Sequence, residues 1–379
     1  MVPVTSALDN LRILDLSRVL AGPFATMMLA DLGATVTKVE RPGTGDETRS
    51  WGPPYDEDGE STYFQSVNRN KDSIVLDLTE AGDLERARKL ALEADVLVEN
   101  FRPGVLDRLG LGYEVLRADN PDLVYCSITG FGSGQGAALP GYDLLIQALG
   151  GLMSITGQPE GEPQKVGVAV VDVLTGLFAS VGILAALRHR DATGEGQRVD
   201  VDLLSSLLAA LVNQGAAYTS GDVVPGRMGN QHPSIAPYEL LTCAEGELVL
   251  AVGNDRQFAA LSEVLDAPEL AADTRFASNT DRVRNRQDLR AALLERLATR
   301  SAQDWAERLT ARRVPAGVVN DVGGAFRLAA DLGLDPVVTL PRADGTAVAL
   351  TRNPIGLSVT PPRYHSAPPR LDGKEFDGP

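Results

Sequence analysis

Apolar residues fall into two periods along the first third of the chain. LRILDL (11–16), TVTKVE (35–40), SIVLDL (73–78), DVLVEN (95–100) and DLVYCSITG (122–130) are short apolar runs, rich in β-branched residues, that read as strands. Between them, GPFATMMLADLG (22–33), ending at Gly33, and GDLERARKLALEA (82–94) carry helical spacing. This alternation predicts an α/β fold, with a parallel sheet covered by helices.

Beyond residue 130 the pattern changes. Residues 132–141 form a Gly-rich loop. Segments 142–153 and 173–188 read as helices with so few charges that burial on most sides is expected. Residues 193–212 give a turn, a short strand and another apolar helix. A loop-rich passage, 220–237, marks the crossing into a smaller domain. There a hairpin at 240–253 turns at Glu245–Gly246, and helices follow at 255–265, 285–298 and 302–312. Residues 336–379 hold short strands and a Pro-rich tail expected to lie extended over the surface. There is no internal repeat.

The longest apolar run, Val168 to Leu187, contains one charged residue, Asp172. A membrane span would place that carboxylate in the bilayer at a cost of about 2.5–3.5 kcal/mol, so a buried helix is the cheaper explanation. Periodicity starts the helix at Val173, which makes Asp172 its N-cap. A second reading is compatible with the first. The positive helix terminus keeps the carboxylate ionised, and dry surroundings suit it to nucleophilic attack on an acyl group.

Composition narrows the partners. The 379 residues suggest two or three domains, and a formal net charge of −16 argues against nucleic acid or an anionic membrane. Two cysteines, Cys126 and Cys243, and three scattered histidines offer neither a disulfide framework nor a metal site. A reducing, cytoplasmic compartment is expected. MVPVTSALDN lacks the pattern of a signal peptide.

Within this acidic chain, cations collect at strand ends. The turn after the first strand carries Arg18, Gly22 and Pro23 and can present helix N–H groups to a phosphate, although AGPFAT stands where a dinucleotide fold has GxGxxG. Glu40 ends the second strand, like the ribose-binding acid of such folds, and Arg41 follows it. Lys71, Asn100, Arg102 and Arg108 occupy similar positions. Ligands of open α/β sheets bind on that side, so an anionic ligand with several phosphates is expected.

LDLSRVLAGPFATMMLADLGATVTKVERPGTGDETR, NRNKDSIVLDL, DVLVENFRPGVLDRLGLGYE, YCSITGFG, GYDLLIQALGGLMSITG, DVLTGLFASVGILAALRHRDATGEGQRVDV, RMGNQHPSIAPYE and VPAGVVND together resemble the family III CoA-transferases. That family includes formyl-CoA and carnitine CoA-transferases and the 2-methylacyl-CoA racemases. The resemblance implies a Rossmann-like large domain (1–220), a small α/β domain (221–330) and a C-terminal segment (331–379) returning to the large domain. It implies an interlocked homodimer, with the active site between the large domain and the partner's small domain. Asp172 falls on the family's nucleophile. CoA-contacting positions fall on Arg18, Val19, Leu20 and Ala21; on Arg41; on Asn68, Arg69, Asn70 and Lys71; on Asn100, Phe101 and Arg102; on Arg108; and on Pro140, Gly141, Tyr142 and Asp143. The implied substrates are acyl-CoA and a small carboxylic acid, with no tightly bound cofactor and no metal. The implied chemistry runs through aspartyl anhydrides and an aspartyl-CoA thioester.

One departure separates the branches. Racemases carry a histidine in the GYD segment, where this chain has Tyr142. An unperturbed tyrosine, with a pKa near 10, is a poor base for removing a proton alpha to a thioester, which favours transferase over racemase. CoA binding without catalysis and nicotinamide oxidoreduction compete with both branches; the resemblance implies that CoA binds and NAD does not. RMGNQHPSIAPY replaces the Gly-rich active-site loop of formyl-CoA transferases, and SAPPRLDGKE matches the usual ending only loosely. Arg227, in segment 222–232, is a candidate for holding a dicarboxylate, with succinyl-CoA as donor.

Overall fold

A computed structural model describes residues 6–342 and 344–371. The chain divides into two compact units. The first comprises Met1–Leu152, Lys165–Val223 and Asp335–Pro379; the second comprises Met153–Gln164 and Val224–Leu334. Segment 153–164, which the sequence pattern assigns to the large domain, thus belongs to the second unit. Residues 1–5 of the N-terminal stretch and the ending after Leu371 lie outside the described residues.

The first unit is built on six strands: β1 (Arg12–Asp15), β2 (Thr35–Glu40), β3 (Lys71–Val75), β4 (Val96–Glu99), β5 (Val124–Thr129) and β6 (Arg198–Asp202). Their spatial order is β3-β2-β1-β4-β5-β6 and every pairing is parallel. This is the strand order of the doubly wound nucleotide-binding fold. Alternation along β5 shows why the strands form. Val124, Cys126 and Ile128 pack on one face with Ile13, Val96 and Val98, whereas Tyr125 packs on the other with Leu14 and Leu97.

Helix α1 (Ala21–Asp31) follows β1 and α2 (Ala81–Glu93) follows β3. The expected helix over 142–153 is interrupted at Gly150 and Gly151, leaving α3 (Asp143–Leu149) and a single turn, Leu152–Ile155; Gly151 takes φ +86°, which a side chain disfavours. Helix α4 (Val170–Thr193) carries the long apolar run and α5 (Leu203–Ala210) follows β6.

Burial of α4 is one-sided, which corrects the expectation of a helix enclosed on most sides. Val171, Thr175, Ala179, Ile183 and Ala186 are buried, but Leu177, Phe178, Val181 and Leu184 are exposed, Val181 by 64%. The helix is long and apolar enough to cross a membrane by length and composition alone, but its buried stripe is part of the same core as β1, β4 and β5.

The C-terminal segment supplies a hairpin, β10 (Val337–Pro341) and β11 (Ala347–Thr351), then an irregular tail. The tail is pinned to the end of α1 and the start of β3: Arg363 N–H donates to Asp31 O (2.8 Å) and Asn70 N–H to Ser366 O (3.0 Å). In the second unit, β7 (Tyr238–Thr242), β8 (Glu247–Ala251) and β9 (Ala316–Val318) form an antiparallel sheet, with the first hairpin turning through Gly246. Helices α6 (Asp255–Val264), α7 (Arg286–Leu297) and α8 (Ala302–Ala311) close one core over it.

Candidate active site

Strand order reverses between β1 and β4, and a cleft opens beyond their carboxyl ends. Asn100, just after β4, fastens the two strand ends together. Its Oδ1 accepts from Arg18 N–H (2.9 Å) and its Nδ2 donates to Arg18 O (2.7 Å). The cleft holds a cavity of about 210 Å³ that is open to solvent. Arg18, Val19, Leu20, Ala21, Asn100, Phe101, Arg102, Pro140, Gly141, Tyr142 and Asp172 all line it. Loop 130–141 closes on itself there; a Cβ on Gly130 would lie 2.5 Å from Gly141 Cα, so both positions exclude a side chain.

Asp172 is not the N-cap. Helix α4 begins at Val170, its N-cap is Ala169, and Asp172 is the third residue of the first turn. The periodicity misleads here because Val170 and Val171 resemble a strand end. The cap comes from elsewhere in the chain. Asp143 Oδ1 accepts from Val171 N–H (2.8 Å) and Asp172 N–H (3.3 Å), while Asp143 Oδ2 accepts from Gln147 Nε2 (2.6 Å). Asp143 therefore takes its place beneath the cleft as a helix cap and is not among the residues lining it.

This arrangement also changes the ionisation expected of Asp172. Burial first, and the neighbouring Asp143 charge second, push its carboxyl up to about 7 from the usual 3.8. The same pair of carboxylates, after burial, raises the Tyr63 hydroxyl to about 12. Tyr63 shares an apolar cluster with Leu20, Met27, Val67 and Val173 beside Asp172. The close approach of α1 to α4 rests on Gly176, where a Cβ would lie 2.6 Å from Ala21 O.

Cations gather on the other wall. Glu47 Oε1 accepts from Arg18 Nη1 (2.6 Å) and Arg41 Nη2 (2.8 Å), which holds two guanidinium groups side by side. Arg18 also lies 5.1 Å from the Phe101 ring centroid. Beyond Arg18 a second, mainly apolar cavity is lined by Arg41, Val39, Leu76, Asp77, Leu78, Thr79, Phe101 and Val105.

Not all expected positions reach these cavities. Asn68, Arg69, Asn70 and Lys71 are 0–3% exposed and bond internally. Lys71 Nζ donates to Asp15 Oδ2 (3.1 Å), Pro23 O (2.9 Å) and Asn68 Oδ1 (2.9 Å), and Arg69 pairs with Asp31 (2.6 Å). Arg69 and Asn70 seat the C-terminal segment, whereas Asn68 and Lys71 bond within the large unit's own core. Arg108 is exposed on the single turn Val105–Arg108 and lines neither cavity. Glu40 is gripped by Arg49 through two bonds of 2.7 Å, so it is not a free ribose acceptor. Arg227, in the second unit, donates to the carbonyls of Gln158 (3.1 Å) and Gly161 (2.8 Å). Glu47, Tyr63 and Leu76–Thr79 do not stand out in the sequence. Only DLT, following the third strand end, carries a positional signal.

The chain's likeness to known proteins agrees with this geometry. The sequence profile of CoA-transferase family III matches residues 8–375. The chain belongs to CoA-transferase family III. It is 44% identical over 370 residues to a succinate–glutarate CoA-transferase of Agrobacterium fabrum, covering 96% of this chain and 92% of that one. It is 40% identical to an acetyl-CoA:oxalate CoA-transferase of Acetobacter aceti, covering 98% and 96%. A crystal structure of a CAIB/BAIF family protein from Brucella suis superposes with a TM-score of 0.86 at 44% identity, covering 97% of each chain. In this family III CoA-transferase Asp172, Arg18 and Arg102 line one cleft at the strand-order reversal.

Proposed function

We propose that this CoA-transferase moves CoA from an acyl-CoA to a free dicarboxylic acid, with Asp172 as the covalent nucleophile. The observation that carries the reading is the placement of the Asp172 carboxyl, in the first turn of α4, on the same cleft as Arg18 and Arg102. An ionised Asp172 oxygen attacks the thioester carbonyl; the C–S bond breaks and CoA leaves as thiolate, giving a mixed anhydride. The thiolate attacks the aspartyl carbonyl, releasing the donor acid and forming an aspartyl-CoA thioester. The acceptor carboxylate displaces the thiolate to form a second anhydride. Thiolate attack on the acceptor's acyl carbon then regenerates Asp172.

Arg18 and Arg41 would hold phosphates of CoA, and the apolar cavity beside them suits the nucleoside. Dicarboxylate preference is supported by the relatives named for succinate, glutarate and oxalate. The exposed stripe Leu177, Phe178, Val181 and Leu184 on α4 supports an interlocked homodimer, in which that surface would be covered. The cytoplasm is the compartment proposed for it.

The test is transfer from succinyl-CoA to labelled glutarate or oxalate. Wild-type protein should form the labelled thioester, and Asp172→Ala, folded by circular dichroism, should not. Transfer retained by Asp172→Ala would refute the role of this residue.

A further inference from the structure

The turn between β1 and α1 holds an unusual backbone. Val19 has φ +71°, the left-handed region that a β-branched residue disfavours most. Such an outlier persists only where its surroundings enforce it, and it often marks a working part of a site. Val19 lies on the cleft between Arg18 and Leu20.

What enforces it is a buried carboxylate. Val19 N–H donates to both oxygens of Asp46, at 3.3 and 3.2 Å. Asp46 is 1% exposed and pairs with Lys38 Nζ at 2.9 Å; Lys38 is fully buried and also donates to Ser17 O (2.8 Å), two residues before Val19. Asp46 further accepts from Thr48 N–H (3.0 Å) and Thr48 Oγ1 (2.8 Å), so it orders the turn that presents Glu47 to Arg18 and Arg41. One ion pair therefore fixes two neighbouring loops. Burial opposes the Asp46 charge, but Lys38 and these donors hold its carboxyl below the usual range. A simple loop could be closed with neutral groups; here two buried charges are retained for it.

We infer that Asp46 and Lys38 are positioning residues for the transfer reaction: through the Val19 N–H they hold Val19 in its left-handed conformation, so that this wall of the cleft, the turn Arg18–Ala21, faces Asp172. The inference rests on the function proposed above. If it holds, Asp46 matters chiefly because residue 19 is strained. A glycine at that position adopts the same φ without penalty and needs less holding.

A double-mutant cycle tests this. Asp46→Ala, which removes the acceptor of the Val19 N–H, should lower kcat for CoA transfer about tenfold or more, with a smaller change in KM, because misplacement of a cleft wall acts on the chemical step. In the Val19→Gly background the same substitution should cost less than about threefold relative to Val19→Gly alone. Equal losses in both backgrounds would overturn the inference. Should Asp46→Ala fail to fold, the double variant must fold and transfer CoA within about threefold of Val19→Gly; a double variant that is also unfolded, or more impaired, overturns it. Wild-type protein that transfers no CoA would refute the function instead, and the cycle read in thermal unfolding midpoints would then test the clamp by itself, with additive shifts counting against it.

Discussion

Asp143→Asn should move the acid limb of the pH–rate profile to lower pH. The substitution keeps an oxygen to accept from the Val171 and Asp172 N–H groups but removes a negative charge beside Asp172, the proposed nucleophile. In the wild type, the rise of Asp172 from 3.8 to about 7 corresponds to about 4 kcal/mol of disfavour towards the ionised form. Burial is the larger cause and Asp143 the smaller, so the charge accounts for less than half: at most about 1.5 pH units, or about 2 kcal/mol. The variant's acid limb should therefore fall between about 5.5 and 7. At pH 6 a carboxyl of pKa 7 is about one-tenth ionised, and a fall of one unit makes it about one-half ionised, so on the proposed mechanism kcat/KM relative to its plateau should rise about fivefold. The assay is kcat/KM for succinyl-CoA from pH 5 to 9, which reports the free enzyme. An acid limb that stays near 7 or moves upward would refute the electrostatic coupling. Asp143→Ala separates charge from capping. It should shift the limb the same way and also cost about 0.5–2 kcal/mol of stability through loss of the cap.

Three further outcomes follow from the same structure. Asp172→Asn should stabilise the protein at pH 8 but not near pH 4, because the raised pKa penalises only the ionised form and the penalty grows as pH rises from 3.8 through about 7; thermal unfolding at both pH values checks this, and equal shifts would contradict it. Gly176→Ala forces a Cβ to 2.6 Å from Ala21 O, so it should cost about 1–3 kcal/mol and reduce kcat by moving α1 away from Asp172; unchanged unfolding and turnover would count against that close approach. Asp31→Ala strips the buried Arg69, Asn70 and Asn353 side chains of their shared acceptor (bonds of 2.6–3.1 Å) and should cost about 3–5 kcal/mol in urea unfolding, with a loss below about 1 kcal/mol refuting its role in seating the tail.

Much of the fold is legible in the sequence because its strands are buried on both faces and read as continuous apolar runs. β1, β2, β4 and β5 fall inside the segments that the pattern alone marks. The third strand is displaced: Lys71–Val75 pairs with β2, although SIVLDL looks apolar through residue 78, because β2 ends at Glu40, whose carbonyl accepts the last bond from Leu76 N–H (2.9 Å), and Leu78 beyond it lines a cavity. Asn68–Lys71 mislead for a related reason. Four polar residues before a strand resemble a ligand loop, and only partners remote in sequence, the C-terminal tail for Asn70 and Asp15 and Pro23 for Lys71, show that they are internal glue. The helix start at Val170 is equally hidden, since its cap is supplied by Asp143 from another helix. Asp172, Arg18, Asn100 and Tyr142 are visible as chemistry at element ends. Glu47, Tyr63 and Asp46 are not, because each matters through a partner remote in sequence.

On the proposed mechanism the side-chain carbonyl carbon of Asp172 itself carries CoA as a thioester. Intact-protein and peptide mass spectrometry on wild-type protein mixed with succinyl-CoA, without acceptor and quenched in acid, tests it most directly. A CoA adduct is expected on the peptide containing Asp172, discharged by hydroxylamine and by glutarate with formation of glutaryl-CoA. Transfer proceeding at full rate with no adduct on that peptide, or with the adduct on another residue, would contradict it.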